Sequence, residues 1–436
     1  MEIQSVLKEE LKKIKLSEEE LEEIRNLTEK LVEAIYCRIR KRGIDAEVFI
    51  GGSLAKGTIL RKESYDIDLF ARFDKKYGEV EIGKLMRKIF FFFKVPGIRT
   101  RKKKIHGSRD YYKVILGKGK KVYFEVVPTT RIGSEEDNRK EFRNITDFSF
   151  SHVDYVKKKI EKNPRLAEQI ILAKAFCHAQ KCYGAESYIN GFSGYAIELL
   201  VINCRGFANF LKAMAEAKEQ IIIDAEKYYK NQREILQEIN EAKRKSPIIL
   251  IDPTMKERNA AAALSWEAFE KFKRAASDFL KNPSTDFFEY KHADADKMKS
   301  IAAELHGIFA LFKIKTKKQE GDIAGSKLLK FSKLLSKEIS KNFDIIEEEF
   351  EYLGGKWAES YYVLKRRNEI ISEGPSIHYK PAVENFKRMH PIWYIEDGKI
   401  KSARATDMTV KQFLKYFKKR NNKTIRLMGI TKVKLA

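Results

Sequence analysis

One stretch, residues 48–73, constrains the fold of this chain more than any other. Its apolar run 48–50 ends at two consecutive glycines, the second of which is Gly52, and Ser53 follows. This pattern predicts a short buried strand that leads into a tight turn and then a helix. Backbone N–H groups at such a turn can bind phosphate, and Lys56, about one helical turn further on, can add a positive charge. The turn is therefore a predicted phosphate site.

Two aspartates follow the turn at alternate positions. In the segment D-I-D-L-F, Asp66 and Asp68 point to one face of a predicted strand and the apolar residues to the other. Aspartate is a poor strand former, and paired carboxylates are costly to bury unless a cation lies between them. Magnesium takes one or two carboxylates together with substrate phosphates. The pair alone would fit an exposed edge strand; with the Gly52-Ser53 turn ahead of it, we interpret it as a metal site for nucleotidyl transfer.

A third acid stands alone in the apolar segment 122–127, V-Y-F-E-V-V. This composition predicts a strand, which we expect Pro128 to end. If the strand lies beside the aspartate strand, Glu125 completes a cluster of three carboxylates. Without that neighbour, Glu125 would be a salt-bridged edge residue. The aspartate pair upstream favours the metal role.

The remaining pattern indicates a mixture of helices and strands, in a chain long enough for about three domains. Apolar periodicity predicts a helix over residues 3–14, and Ser17 with Glu20 forms a capping box for a second helix. Helices dominate residues 152–217. Glycine turns predict two hairpins nearer the C-terminus, at Gly354-Gly355 and at Asp397-Gly398.

Four consecutive phenylalanines, residues 90–93, end another predicted helix over residues 82–93. We expect these rings to pack in the core rather than to bind a base. The lysines at 102–104 and Arg109 follow, and they predict a basic loop.

The balance of charge narrows the class of partner. The formal net charge is +25, from 87 basic and 62 acidic residues. Such a surplus indicates a polyanion, and the phosphate backbone of nucleic acid is the commonest one. An anionic membrane fits less well, because no long amphipathic helix with a basic face stands out. Adaptation to heat or salt would raise both signs of charge.

The C-terminal region concentrates this charge. We define the basic tract as Lys415, Lys418, Lys419 and Arg420. Its residues lie within about one and a half helical turns, and Phe413 and Phe417 are available to pack inward. The interleaving predicts an RNA-contacting surface, for which a solvated helix face is the alternative.

Cysteine spacing and hydropathy indicate the compartment. The four cysteines show neither C-x-x-C nor zinc-like spacing, which predicts reduced core thiols. The first residues lack the basic-then-apolar design of a signal peptide, and no apolar run is long enough to span a bilayer. We expect a soluble, cytoplasmic protein without a membrane partner.

The order of these motifs resembles that of the DNA polymerase beta-like nucleotidyltransferase superfamily: a Gly52-Ser53 turn, Asp66-x-Asp68, then a lone acid in V-Y-F-E-V-V-P. Three longer segments narrow the resemblance to the archaeal-type (class I) CCA-adding enzymes. They are G-F-S-G-Y-A-I-E-L-L, D-P-T-M-K-E-R-N-A-A-A-A-L-S and D-F-F-E-Y-K-H. The similarity covers nearly the whole chain.

The resemblance implies an α+β multidomain fold. Residues 1–147 correspond to a polymerase-beta-like nucleotidyltransferase head, 148–283 to a helical neck that recognises the base, and 284–436 to an α/β RNA-binding body and tail. In this family the body and tail bind the acceptor stem and T arm of tRNA. The implied activity is template-independent addition of C, C and A to the tRNA 3′ end from CTP and ATP, with release of pyrophosphate and the help of two Mg²⁺ ions.

The resemblance assigns the metal ligands. Asp66 and Asp68 match the first two metal-binding acids of the family, and Glu125 matches the third. The family usually has glutamate at the first position and aspartate at the third. The two side-chain lengths are therefore exchanged here, while three carboxylates are kept.

The resemblance also assigns nucleotide-binding residues in the head and at its border. Ser53, beside Gly52, matches a phosphate-binding serine. Lys56 stands where the family usually has arginine, which removes a bidentate fork. Ser149 and His152 match the hydroxyl and the histidine of a family motif.

Three further residues match nucleotide-binding positions of the family's neck. Lys174 and Tyr183 correspond to residues that hold the triphosphate and the ribose. Arg258 corresponds to the arginine that reads the incoming base. No nucleic-acid template is needed if Arg258 and RNA phosphates present donors and acceptors that suit C or A.

Two other functions stay open at this point. One is a poly(A) polymerase-like RNA terminal nucleotidyltransferase, whose product would be a homopolymer. The other is an RNA-binding relative that has lost activity, although the intact acids argue against it. The large basic C-terminal half disfavours a small-molecule nucleotidyltransferase. A homodimer is one assembly that the sequence allows.

Overall fold

The computed structural model describes residues 3–117, 122–131, 144–367, 369–405 and 407–436. They form two compact units, Met1–Ala185 with Ile189–Tyr290, and Glu186–Tyr188 with Lys291–Ala436. Each unit has its own buried apolar core. Within the described ranges, no helix combines the length and apolar character needed to cross a membrane. The finer division at residues 147 and 283 stays a prediction.

The first unit opens with helices around a sheet. The elements are α1 (Ile3–Ile14), α2 (Glu18–Arg40), β1 (Ala46–Ile50), α3 (Gly52–Lys56), β2 (Tyr65–Phe73), α4 (Glu79–Phe90), β3 (Thr100–Ile105), β4 (Tyr111–Leu116) and β5 (Val122–Thr130). The predicted first helix and the capping box are confirmed. The Ser17 hydroxyl accepts the backbone N–H of Glu20, whose carboxylate accepts the backbone N–H of Ser17.

The five strands form one sheet in the order β1-β2-β5-β4-β3. Strands β2 and β5 are parallel, and the other neighbours are antiparallel. Ile67 and Phe124 face the core that the sheet forms with α2 and α4. Because side chains alternate along a strand, Asp66, Asp68 and Glu125 occupy the opposite face.

Strand β5 does not end at Pro128, as we predicted, but continues to Thr130. Strand β4 pairs with β5 only as far as Val126, while β2 continues alongside. Pro128 therefore lies beyond the ladder with β4, and proline is tolerated where one side of a strand is unpaired.

The predicted basic loop after α4 is also wrong. Residues 102–104 lie on β3, which pairs with β4. Arg109 is buried, and its guanidinium donates to Glu79 (Nε–Oε2, 2.9 Å) and to Asp147 (Nη2–Oδ2, 3.1 Å). The two carboxylates satisfy the planar fork and compensate for its burial.

Helices make up most of the remaining first unit. They are Ser149–Lys162, Arg165–Ala179, Gly194–Asn203, Phe207–Ala215, Gln232–Glu238 and Trp266–Lys281, with 3₁₀ turns at Ile145–Phe148, Glu241–Lys245 and Thr285–Phe288. Three short strands, β6 (Ile221–Ile223), β7 (Ile248–Asp252) and β8 (Met255–Asn259), pair in that order. The helix-rich character predicted for residues 152–217 is confirmed.

The second unit packs helices on two sheets. Its helices are Ala295–Glu304, Asp322–Ile339, Lys380–Met389, Val410–Arg420 and Asn422–Leu427. Its strands are β9 (Ile308–Thr316), β10 (Phe343–Tyr352), β11 (Trp357–Arg366), β12 (Glu369–Ser376), β13 (Tyr394–Glu396), β14 (Lys399–Ala405) and β15 (Ile430–Leu435). The sheet orders are β10-β11-β9-β15 and β12-β14-β13. Both predicted hairpins are confirmed as the pairs β10–β11 and β13–β14.

The basic tract lies on the helix Val410–Arg420. Phe413 and Phe417 are buried in the core of the second unit, as expected. The four cations of the tract are exposed on the other side of the helix. The helix therefore presents an exposed cationic face.

Candidate active site

The sheet brings the three predicted metal ligands to one face. In the parallel pair β2–β5, Asp68 lies directly beside Glu125, and Asp66 precedes Asp68 by two residues. Burial raises the pKa of Asp68 to about 6 and that of Glu125 to about 7, and the neighbouring carboxylates add to both shifts. Two of the three acids are thus costly to ionise without an added positive charge.

This donor set fits a magnesium ion. Mg²⁺ takes oxygen ligands, holds few carboxylates and keeps several waters, so its sites are seldom closed protein cages. Among the described residues, no three His, Cys, Asp or Glu side chains already converge into such a cage. The three acids offer oxygen donors on one face, and the raised pKa values of two of them are what a cation would relieve. Their role as ligands stays a prediction.

The glycine turn lies against the second of these acids. Gly52 has a positive φ of 58°, and a Cβ there would come within 2.0 Å of Asp68 Oδ2. The backbone N–H of Gly51 donates to the carbonyl oxygen of Asp68 at 2.8 Å. Only glycine permits this approach. We call the sheet face that carries Asp66, Asp68 and Glu125 the acid face. The predicted phosphate-binding residues Gly52 and Ser53 are therefore adjacent to it.

Lys113 belongs to the same face, although the sequence analysis did not single it out. It lies on β4 opposite Glu125, and its Nζ is 3.1 Å from Asp66 Oδ1 and 3.7 Å from Glu125 Oε1. Lys103 on β3 lies opposite Lys113. A lone lysine in the apolar segment Y-Y-K-V-I-L was the available signal. Its meaning depended on which strand pairs with β5.

A second cluster surrounds one buried carboxylate, Glu198, on the helix Gly194–Asn203. Its oxygens accept from Lys56 Nζ at 2.6 Å, Lys174 Nζ at 2.8 Å and the Thr58 hydroxyl at 3.2 Å. Burial would raise the pKa of Glu198, but the two ammonium groups outweigh it and hold that pKa at about 2. Two ammonium groups therefore share one carboxylate, and these three groups together keep one net positive charge.

The structure buries Lys174, which by default would be a solvated residue on its helix. Its ammonium also donates to the Thr58 hydroxyl at 2.9 Å. Burial lowers the pKa of Lys174, and Glu198 opposes the shift. Lys56 and Lys174, remote in sequence, are thus brought to one point.

A third cluster centres on Asp252 at the end of β7. This buried carboxylate contacts His152 Nε2 at 3.1 Å, accepts from the Tyr195 hydroxyl at 3.0 Å and accepts from the Arg258 guanidinium. The His152 ring stacks on that of Tyr195 with centroids 4.2 Å apart. Burial lowers the pKa of His152. Burial would raise the pKa of Asp252, but the hydrogen bond from His152 and the charge of Arg258 help to outweigh it, and that pKa is lowered.

The last two predicted nucleotide-binding residues lie close to these clusters. Ser149 begins the helix Ser149–Lys162, which carries His152 and packs against α3. Tyr183 lies beside Gly194, where a Cβ would be 3.0 Å from the tyrosine hydroxyl and 4.0 Å from Lys174 Cε. All predicted catalytic and nucleotide-binding residues are therefore in the first unit. The basic tract is in the second.

Sequence reasoning missed the acids that organise the cations. Glu198 is the only acid of the helix segment G-Y-A-I-E-L-L-V-I-N, the same signal that singled out Glu125. Asp252 closes the apolar strand I-I-L-I-D. A lone carboxylate in an apolar element needs a partner charge. That rule alone could have flagged both residues.

Comparison with known proteins adds relatives of both sequence and fold. Residues 168–289 match the family model described as tRNA nucleotidyltransferase, second domain. The chain is 36% identical over 296 residues to a CCA-adding enzyme of Nanoarchaeum equitans, covering 68% of each chain. It is 29% identical over 411 residues to that of Methanocaldococcus jannaschii, covering 91% of this chain and 86% of the relative.

Solved structures extend the likeness of the fold. A structure of Cid1, described by its RNA terminal uridylyl transferase activity, has a TM-score of 0.50 at 15% identity, covering 66% of this chain and 98% of Cid1. A mutant Cid1 poly(U) polymerase bound to MgATP has a TM-score of 0.50 at 14% identity, covering 65% and 98%. The polymerase-beta-like nucleotidyltransferase fold within a multidomain α+β chain is confirmed.

Proposed function

The chain belongs to the CCA-adding enzymes, and on this premise we propose that it adds C, C and A to the 3′ end of tRNA from CTP and ATP. The observation that carries the proposal is the contact of the glycine turn with Asp68 on the acid face. A phosphate-binding turn and a set of metal-binding carboxylate oxygens then lie next to each other, as nucleotidyl transfer requires. The clusters around Glu198 and Asp252 lie in the same unit.

The reaction joins the tRNA 3′-oxygen to the α-phosphorus of the nucleotide and breaks the bond between that phosphorus and the bridging oxygen of the β-phosphate. Pyrophosphate leaves. Two Mg²⁺ ions, when bound, lower the pKa of the attacking hydroxyl and neutralise charge on the leaving group. Asp66, Asp68 and Glu125 would hold these ions. The protein's own contribution is mainly positioning and electrostatic stabilisation.

The triphosphate is held by the turn and by the two lysines on Glu198. Ser53 and the backbone of the turn bind phosphate oxygens, and Lys56 and Lys174 supply charge. The lysines are fixed by Glu198 before nucleotide arrives, so little reorganisation is needed during the reaction. Tyr183, next to Lys174, contacts the ribose.

The base is read at the Asp252 cluster. Arg258 has several N–H donors in a fixed plane, and Asp252 accepts one of them, so the others are oriented. His152 and Tyr195 form a stacked pair beside the guanidinium. A fixed fork of donors suits the acceptors of cytosine and adenine, and this supports selection without a template.

Arg258→Lys tests this assignment. We expect it to raise misincorporation of UTP and GTP more than it weakens triphosphate binding, because lysine keeps the charge but loses the planar fork. Error rates are measured with all four nucleotides. The control is Lys256→Ala, since Lys256 lies on the same strand but contacts Tyr229. An error spectrum like that of the wild type would mean that Arg258 only anchors Asp252.

The function itself is tested with tRNA that lacks its terminal CCA. CTP alone should extend it by C residues, ATP alone should give no normal product, and both together should give CCA and then stop. Sequencing of the product ends decides the outcome. A long homopolymer would indicate a poly(A) polymerase-like enzyme, and no extension would indicate an inactive RNA-binding relative.

The second unit binds the tRNA acceptor stem and T arm through the basic tract. Replacing Lys418, Lys419 and Arg420 with alanine should raise the tRNA KM and leave turnover unchanged. The slope of log affinity against log salt should fall by about one for each phosphate that the variant no longer neutralises. Enzyme kinetics and binding over a range of salt measure both effects.

The matched control for the tract removes the same charge elsewhere in the second unit. Lys330, Lys333 and Lys337 are exposed lysines on the helix Asp322–Ile339. Their triple alanine variant loses the same charge. Equal effects in the two triple variants would mean that only bulk charge matters and that the tract is a solvated face.

A further inference from the structure

The end of α4 divides the four phenylalanines that we expected to pack in the core, and for two of them that prediction is wrong. Phe90 and Phe93 are buried; the Phe90 ring stacks on Tyr112 with centroids 4.2 Å apart. Phe91 and Phe92 are 63% and 76% exposed. The helix ends at Phe90, and Phe92 has a positive φ of 45°, so the chain turns within this run and the four rings do not share one face. We call Phe91 and Phe92 the aromatic tip.

The aromatic tip is held in place by cations on its backbone. The Arg38 guanidinium donates to the carbonyl of Phe92 at 2.8 Å, and the Lys102 ammonium donates to that of Phe90. The two exposed rings contact each other edge to face, with centroids 4.4 Å apart. A bulky residue with positive φ is unfavourable, and large exposed apolar side chains side by side commonly mark a binding surface. The fold therefore fixes two exposed rings at an energetic cost.

The chain around the aromatic tip is strongly basic. The sequence from residue 84 to residue 109 contains no Asp or Glu. Its lysines and arginines are Lys84, Arg87, Lys88, Lys94, Arg99, Arg101, Lys102, Lys103, Lys104 and Arg109. Lys88, Lys94 and Arg99 are exposed. Exposed aromatic rings with a cationic surround match a polyanion that also has flat apolar faces. Unpaired nucleotides have both, whereas a duplex hides its base faces.

We propose that the aromatic tip, with Lys88, Lys94 and Arg99 of the same segment, is a binding site for unpaired RNA nucleotides. Bases stack on Phe91 and Phe92, and phosphates are neutralised by the cations. The site lies in the first unit and gives the chain a second RNA contact, in addition to the basic tract of the second unit. It rests on the proposed RNA substrate, and it adds a contact that a paired stem alone would not use.

The test measures equilibrium binding of the full chain to a short unpaired oligoribonucleotide and to a blunt RNA duplex of equal length. Phe91→Ala/Phe92→Ala should weaken binding of the unpaired oligonucleotide on the order of tenfold per stacked base and leave the affinity for the duplex unchanged. Its salt slope should stay that of the wild type. Lys94→Ala/Arg99→Ala should instead reduce the salt slope.

Val80→Ala is the matched control. Val80 lies near the other end of α4 and is 76% exposed, as Phe92 is, but acids flank it. Its replacement should leave both affinities unchanged. Phe92→Gly separates binding from folding, because it removes the ring and glycine adopts a positive φ without strain. It should therefore raise the unfolding temperature of the protein while it weakens binding of the oligonucleotide.

Three results would overturn the site. In the first, the double phenylalanine variant binds the unpaired oligonucleotide as tightly as Val80→Ala does. In the second, the double variant loses equal affinity for the oligonucleotide and for the duplex. In the third, it binds both RNAs normally and loses only binding to anionic vesicles or self-association of the chain. The last would assign the tip to a membrane or to a second copy of the chain. Failure of CCA addition with phenylalanine-dependent RNA binding intact would overturn the proposed function and not this site.

Discussion

Asp68→Ala is expected to slow nucleotide addition by at least about a thousandfold, because loss of a ligand for the catalytic ions removes several kcal/mol of transition-state stabilisation. Affinity for tRNA should not change, since Asp68 belongs neither to the basic tract nor to the aromatic tip. Single-turnover rates and equilibrium binding with the same tRNA measure the two quantities. A near-normal rate would contradict the three-carboxylate assignment.

The stability of the same variant separates a metal ligand from a structural residue. Burial raises the pKa of Asp68 to about 6, so in chelator the carboxylate does not stabilise the fold as an ion. Asp68→Ala should therefore unfold in chelator at no lower urea concentration than the wild type. Asp74→Ala is the control, because Asp74 follows the same strand but pairs with Arg131. It should keep full activity.

Glu198→Gln is expected to lower the free energy of unfolding by about 3–5 kcal/mol, because it leaves the ammonium groups of Lys56 and Lys174 buried without a counter-charge. Nucleotide binding should weaken with it. Urea denaturation measures the loss. Glu168→Gln is the control: Glu168 pairs with Lys15 at the surface, where such a pair contributes about 1 kcal/mol or less. A similar small change in both variants would contradict the role of Glu198.

The pH dependence of that loss has a definite sign. The pKa of Glu198 is about 2 in the folded chain, below the ordinary value of 4.5. A group with a depressed folded pKa stabilises the fold fully above its unfolded pKa, and the contribution is lost as pH falls towards the folded value. The difference in unfolding free energy between wild type and Glu198→Gln should therefore be constant from about pH 7 to 5 and shrink below about pH 4.5. A difference that grows on acidification would contradict it.

Local pattern was enough for the acid face. Alternation in D-I-D-L-F and the lone acid in V-Y-F-E-V-V each predicted a strand and a side-chain direction, and the pairing Asp68–Glu125 agrees with both. The family membership that these motifs indicated is confirmed. Such signals succeed because the spacing of residues along one strand already determines which side chains share a face.

The cation clusters needed information that no local pattern holds. Glu198 meets Lys56 across 142 residues of chain, and Asp252 meets His152 across 100 residues. Which cation a buried acid acquires depends on how helices pack. Arg109 illustrates the converse error: the lysines at 102–104 before it are exposed, but Glu79 and Asp147, both distant in sequence, draw it into the interior.

Gly52 and Gly57, at the two ends of α3, differ in the substitutions that they tolerate. Gly57 has a φ of 65° but open space around its missing side chain, so asparagine, which tolerates a left-handed backbone, is a permissible replacement there. Position 52 combines the same backbone with the carboxylate of Asp68 at contact distance. A randomised library selected for activity would thus return several residues at 57 and glycine alone at 52. A change at position 52 would therefore require a change at Asp68 as well, whereas the far end of the turn can vary on its own.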